Sequence, residues 1–202
     1  MEKFTKMTGV AAPLMRANID TDVVVRIERL INLKQSELGP YAFEAWRYLP
    51  DGGEVPDFVL NQSAYRDATI LIAGRNFGCG SSREGAVWAL AAIGMRAVIA
   101  PSFGPIFYNN CFQNGVLPII LDEDVVVGLA DQADGLRFGI DLEARTLTDP
   151  AGKEISFEVP PLKREALLQG LDAVAATLLK ESEIAAFQDR DRLRRPWIYA
   201  VE

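Results

Sequence analysis

Short apolar runs recur along this chain between charged or glycine-rich interruptions, and their spacing predicts alternating strands and helices. Residues 8–14 read as a first strand. Residues 68–73, with Thr69, Ile70 and Ile72, read as a short buried one, and 97–100 and 117–121 as two more. Each of the last three is followed by a helical stretch: 83–92, 104–114, and 123–133 behind Asp122, which is placed to cap it. Strand and helix pairs in succession predict an α/β sheet with parallel strands and right-handed crossovers. The register then changes. Residues 136–142, 146–148 and 154–159 are short strands, with Asp149-Pro150-Ala151-Gly152 as a hairpin turn, and they predict a late antiparallel addition. Residues 163–169 and 170–190 carry apolar side chains at helical spacing, among them Leu171, Val174, Leu178 and Leu179. A basic tail follows from Arg190 to Arg195, either a solvated helix end or, through Pro196-Trp197-Ile198-Tyr199, a subunit contact.

The first third is less regular. Asn18-Ile19-Asp20-Thr21-Asp22 is a polar turn whose aspartates favour caps and bends, with ligand or partner contact as a second role. Residues 23–27 are rich in valine but run into charged positions through Lys34, so they read as a strand end or mobile loop rather than core. A short helix is expected at 41–48. A surface loop at Asp51-Gly52-Gly53, between Pro50 and Pro56, follows it.

Chemistry concentrates where the second strand ends, in ILIAGRNFGCGSSREGAVW from Ile70 to Trp88. Gly78 and Gly80 permit positive φ and close backbone approach. Ser81 or Ser82 is placed to cap the next helix, and Glu84 brings a carboxylate to its first turn. Arg83 adds a planar fork suited to a carboxylate or phosphate. Two readings fit: a site for a small anion, or a capped helix with a surface arginine. The turn has no lysine for a phosphate-binding P-loop, and Arg83 stands where the third glycine of a dinucleotide fingerprint belongs.

Composition narrows the choice. The 202 residues are 49% hydrophobic, enough for one well-buried core. A net charge of −7 argues against a broad nucleic-acid surface, so an anionic ligand needs local cations. No apolar stretch reaches the length of a membrane span, and the start MEKFTKMTG lacks a signal-peptide core; both point to the cytoplasm. The chain has no histidine, which removes Ser-His-Asp and Cys-His catalysis and histidine-ligated metals. Its two cysteines, Cys79 and Cys111, lie in unrelated contexts and read as reduced thiols, too few to hold an iron-sulfur cluster. Any metal chemistry has to come from a partner. Serine without a neighbouring base is inert, so Ser81 reacts only in a strongly electropositive site.

The string Asn76-Phe77-Gly78-Cys79-Gly80-Ser81-Ser82-Arg83-Glu84 resembles the small subunit of 3-isopropylmalate dehydratase. Asn18-Ile19-Asp20-Thr21-Asp22 lies upstream of it, Asp57-Phe58-Val59-Leu60-Asn61 between, and Ala100-Pro101-Ser102-Phe103, Ile106-Phe107-Tyr108 and Gly170-Leu171-Asp172 downstream. The resemblance covers nearly the whole chain in order. It implies the swivelling β/β/α domain of aconitase, with a mostly parallel central sheet, added antiparallel strands and flanking helices. One such domain would span residues 1–202, its C-terminal helix and basic tail occupying about 170–202. The implied reaction converts 2-isopropylmalate to 3-isopropylmalate by dehydration and rehydration in leucine biosynthesis. A separate large subunit is expected to carry a [4Fe-4S] cluster with one open iron, leaving this chain without bound cofactor or metal and inactive alone.

Carried over by position, Ser81 resembles the serine that acts as an alkoxide base on the substrate carbon. Arg83 resembles the arginine that holds a substrate carboxylate, and Ser82 a substrate contact beside it. Two positions depart from the family pattern: Gly85 stands where a histidine commonly follows, and Arg26 where the loop after Asp22 usually has a proline. That loop, with Val24, Val25, Arg26, Ile27, Arg29 and Leu30, is where family members select the substrate side chain. Arg26 and Arg29 are alternatively placed to meet an extra carboxylate or a partner. The arginine-rich tail is expected to extend past the usual family end. A related hydro-lyase acting on a smaller or methylated malate or maleate, of citraconate or dimethylmaleate type, is the alternative function. A non-catalytic anion-binding module on the same fold is a third.

Overall fold

The computed structural model describes residues 1–80 and 83–199. A seven-stranded sheet organises them, in the order β4-β3-β2-β1-β5-β6-β7. Four strands are parallel: β1 (Lys6–Leu14), β2 (Ile70–Ala73), β3 (Ala97–Ala100) and β4 (Leu117–Ile120). Beyond β1 the sheet continues antiparallel through β5 (Arg137–Asp141), β6 (Thr146–Thr148) and β7 (Glu154–Ser156). The expected α/β sheet with a late antiparallel addition is therefore the architecture observed.

The parallel strands are short and apolar because both faces are covered. Leu71, Ala73, Val98 and Ala100 point into one core, Ile70, Ile72, Ala97 and Ile99 into the other. The first core is closed by α4 (Gly85–Ala92), through Ala86, Val87, Ala89 and Leu90, and by Phe107 and Cys111 of α5 (Pro105–Gln113). The second is closed by Val126 and Leu129 of α6 (Glu123–Gln132), Leu167 of α7 (Pro161–Gln169), and Phe138 and Ile140 of β5. Full burial of each valine, leucine, isoleucine or phenylalanine among them stabilises by roughly 1.5–3 kcal/mol, so these two layers hold the sheet.

Four expectations change. Residues 21–32 form neither strand nor loose loop but two short helices, α1 (Thr21–Val24) and α2 (Ile27–Asn32), and Val24 and Val25 are fully buried core. Sequence periodicity is mute over helices of four and six residues, whose order comes from tertiary contacts. The helix at 41–48 contracts to α3 (Glu44–Arg47), entered through Phe43 in the left-handed conformation. At the C-terminus Gly170, with φ +72°, ends α7. The apolar spacing then falls on α8 (Ala173–Leu178) and α9 (Glu181–Arg194), where Val174, Leu178 and Leu179 are exposed rather than packed. Asp122 occupies the cap position of α6 but makes no side-chain cap bond.

Candidate functional site

Beyond the carboxyl ends of β1, β2 and β3 the three connections stay hydrogen-bonded to one another. Asn18 donates its N–H to the Arg75 carbonyl at 2.9 Å, Gly78 to Ile19 at 2.7 Å, and Thr21 to Cys79 at 3.0 Å. On the other side Phe77 donates to the Ser102 carbonyl at 3.1 Å and Gly104 to Phe77 at 2.9 Å. The Asn76 N–H reaches Ser102 Oγ at 2.9 Å. Bridges at Asp20–Cys79 and Phe77–Phe103 thus extend the parallel pairing past the strands into a main-chain clasp.

The clasp requires left-handed backbone, at Asn18 (φ 57°), Asn76 (φ 59°) and Gly78 (φ 69°). Asparagine tolerates this conformation because its short amide bonds locally. Here the two asparagines bond each other, Asn76 Nδ2 donating to Asn18 Oδ1 at 2.8 Å. Position 78 admits only glycine, since a Cβ there would lie 2.6 Å from Cδ1 of the Phe107 ring. Phe107 is itself fixed edge-on to Phe77, with centroids 5.3 Å apart.

The clasp delivers Arg83 to the foot of α4. Ser81 and Ser82, the proposed base and its neighbour, lie outside the described residues. Across the gap, Asp20 caps α1 by accepting the Val23 N–H at 2.8 Å, which places Asp22 in the first turn of that helix. There the Asp22 carboxylate forms an ion pair with the Arg83 guanidinium. The Arg83 side chain is 22% exposed and that of Asp22 55%, so the cation is sheltered while its carboxylate partner faces solvent. A second tie steadies the same turn. Asn114 Nδ2 donates to Glu84 Oε1 at 2.8 Å and Trp88 Nε1 donates to Asn114 Oδ1 at 3.0 Å, joining the start of α4 to the end of α5. The Asp22 and Asn114 contacts, across 61 and 30 residues of sequence respectively, carry no local sequence signal.

The residues expected to choose the substrate separate into groups. Val24 and Val25 point into the core. Arg26 and Arg29 converge on one carboxylate: Arg29 Nε donates to Glu44 Oε2 at 3.0 Å, and Arg26 Nε lies 3.8 Å from Oε1. The Arg29 guanidinium also stacks over Tyr41 at 4.2 Å. Both arginines, with Tyr41, Glu44 and Leu49, line an open cleft of about 690 Å³. One carboxylate of the chain thus serves both arginines. Ile27 is 45% exposed, and Leu30, half-buried, rests on Gly85.

For metal chemistry the donor set is poor. Among the described residues no cluster of three or more His, Cys, Asp or Glu is placed to hold an ion. Cys111 is wholly buried, and burial pushes its thiol well above the ordinary range; Cys79 lies in the clasp, partly exposed. These residues do not fit a cluster. No helix of the described residues is long and apolar enough to cross a membrane.

Comparison with known proteins gives a consistent set of relatives. The family model described as aconitase C-terminal domain matches residues 1–124, and one described as LeuD_N matches 128–161. The 3-isopropylmalate dehydratase small subunit of Rhodospirillum centenum is 53% identical over 200 residues, covering 98% of each chain. That of Paramagnetospirillum magneticum is 51% identical over 201 residues, covering 98% of this chain and all of its own. A crystal structure of 3-isopropylmalate dehydratase from Methanocaldococcus jannaschii superimposes with a TM-score of 0.66 at 29% identity, over 91% of this chain and 99% of that one. Relatives matched over their full length also correct one expectation: the arginine-rich tail lies within the family's length.

Proposed function

The chain belongs to the family of 3-isopropylmalate dehydratase small subunits, built on the aconitase C-terminal swivel fold, and from this we propose how it works. It is the small subunit of a cytoplasmic hydro-lyase that interconverts 2-isopropylmalate and 3-isopropylmalate, a step of leucine biosynthesis. The names of its relatives favour this reading over the smaller methylated diacids. The whole chain acts as one swivel domain, with the C-terminal helices and tail projecting from it. A large subunit completes the enzyme and carries the [4Fe-4S] cluster, for which the described residues of this chain offer no set of ligands. Exposed apolar side chains at Leu178, Leu179, Phe187, Trp197 and Ile198 support a subunit contact along the C-terminal segment.

One observation supports the site assignment above the others: the Arg83 guanidinium, sheltered at the foot of α4, already receives a carboxylate, that of Asp22. A substrate carboxylate has the same charge and geometry and would share or replace that contact, held bidentately by the planar fork. Ser82 adds a contact beside it. Ser81 Oγ, as alkoxide, takes the proton from the carbon next to a carboxylate; the C–H electron pair becomes the alkene as the C–O bond breaks, and the hydroxyl leaves with its electron pair as hydroxide and takes a proton from solvent to become water. Readdition at the neighbouring carbon gives the isomer. Because such a C–H is a weak acid the base must be strong, and the cationic Arg83 favours its ionised form.

The test is made in the complex reconstituted with the large subunit. Ser81→Ala is expected to lower kcat for 2-isopropylmalate by about 10³- to 10⁴-fold, with assembly unchanged by size-exclusion chromatography. Full activity of that variant would remove Ser81 as the base and favour a non-catalytic module. Failure of the wild-type complex to turn over 2-isopropylmalate, alongside turnover of a methylated maleate, would move the function to the alternative substrate class.

A further inference from the structure

Two contacts fasten residues 21–32 to the same turn of α4. Asp22 pairs with Arg83, and Leu30 sits on Gly85, two positions further along. The second contact depends on a missing side chain. A Cβ at position 85 would come within 2.6 Å of Leu30 Cδ1 and nearer still to Cδ2, so the leucine methyls occupy the place of the absent group. Gly85 is fully enclosed. Its backbone is not left-handed, so helix geometry itself does not demand glycine there. In a helix, glycine is ordinarily worse than alanine, both in backbone entropy and in propensity. At the first position of α4 that cost is small, and the absent side chain creates a seat for Leu30.

The rest of α2 shows what that seat controls. Its two isoleucines, Ile27 and Ile31, are 45% and 75% exposed, and its arginine is turned to Glu44. Leu30 is the half-buried apolar contact through which this short helix rests on the element carrying Arg83. Arg26 and Arg29 both face Glu44, while Ile27 and Ile31 give α2 exposed apolar groups near the carboxylate grip. That surface suits a diacid bearing a branched apolar substituent.

We infer that Gly85 is a specificity-determining residue: by leaving room for Leu30 it sets how closely α2 approaches Arg83, and so the size of the apolar substituent accepted there. The inference rests on the dehydratase reading for its substrate and on the Leu30–Gly85 juxtaposition for its mechanism, and the two are tested separately. Gly85→Ala and Leu30→Ala are made singly and together in the full chain and in the reconstituted complex. For seating, the readout is the rate of limited proteolysis at residues 26–34. Gly85→Ala is expected to speed cleavage about fivefold or more when residue 30 is leucine, and to leave it unchanged or slower when residue 30 is alanine, a reversal that only a direct contact produces. For specificity, Gly85→Ala is expected to raise KM for 2-isopropylmalate by about tenfold, with KM for 2-methylmalate and both kcat values moving less than about threefold. Gly85→Ala with a raised Tm and unchanged cleavage would mean an ordinary helix glycine and overturn the seat. Faster cleavage with unchanged KM ratios would overturn the specificity role. If the wild-type complex is inactive on both diacids the dehydratase reading and the specificity role fail together, and the proteolysis arm still decides the seat.

Discussion

The clasp formed after β1, β2 and β3 and the segment from residue 26 to residue 50 both converge on the first turn of α4, but different forces hold them. Main-chain hydrogen bonds build the clasp, from Asn18 to Arg75, Gly78 to Ile19, Thr21 to Cys79 and Gly104 to Phe77. The second segment meets that turn through a side-chain contact, Leu30 on Gly85, and is tied within itself by Arg26 and Arg29 on Glu44. Main-chain bonds are indifferent to most substitutions provided the glycines remain, whereas a side-chain contact is rewritten by one. The difference teaches a division of labour. On the roles proposed above, groups that do the chemistry hang from the part that sequence change disturbs least, and groups that choose the substrate hang from the part it alters most readily.

Breaking the clasp side of this comparison is expected to cost most. Arg83→Lys keeps the charge but loses the fork, and a fall in kcat/KM for 2-isopropylmalate of about 10²- to 10³-fold is expected without loss of folding, measured by steady-state kinetics on an assembled complex. Unchanged kinetics would refute the carboxylate role. Gly78→Ala strikes the geometry rather than the chemistry. Forced left-handed backbone and overlap with Phe107 are expected to destabilise the fold by about 2–5 kcal/mol, read from chemical denaturation. Stability unchanged by that substitution would mean that the clasp does not need its close approach. Cys79→Ala sharpens the same point from the other side. Cys79 enters the clasp through its carbonyl, which alanine keeps, so activity within about threefold of wild type is expected. Complete loss in a correctly assembled complex would make the thiol part of the chemistry.

The same division explains how much was legible in the sequence. Strands β2 to β4 follow from apolar runs of four residues, and β1, α5, α6 and the β5–β7 addition from longer or alternating patterns bounded by Gly, Pro and Asp; all lie within a few residues of where the pattern placed them. Arg83 was visible as a cation at a helix start, because a glycine-rich turn and a following apolar helix are local signals. Its partner Asp22 was visible only as one acid in a polar turn, because the pairing is made by β1 and β2 lying side by side. Residues 23–32 misled most. Val24 and Val25 look like a strand end beside charged positions, yet they become core through contacts with α4 that no nearby residue announces. Leu178 and Leu179 misled in the opposite sense, their helical spacing suggesting a packed face that this chain alone does not provide.

The division of labour is tested most directly by one ratio: kcat/KM for 2-isopropylmalate over kcat/KM for 2-methylmalate, compared between Arg83→Lys and Glu44→Gln complexes. Arg83→Lys is expected to depress both substrates alike, leaving the ratio within about twofold of wild type, since both present the same carboxylates. Glu44→Gln frees the charges of Arg26 and Arg29 and is expected to shift the ratio by about fivefold or more against the branched substrate, with little loss on the smaller one. A ratio moved by Arg83→Lys and untouched by Glu44→Gln would contradict the account.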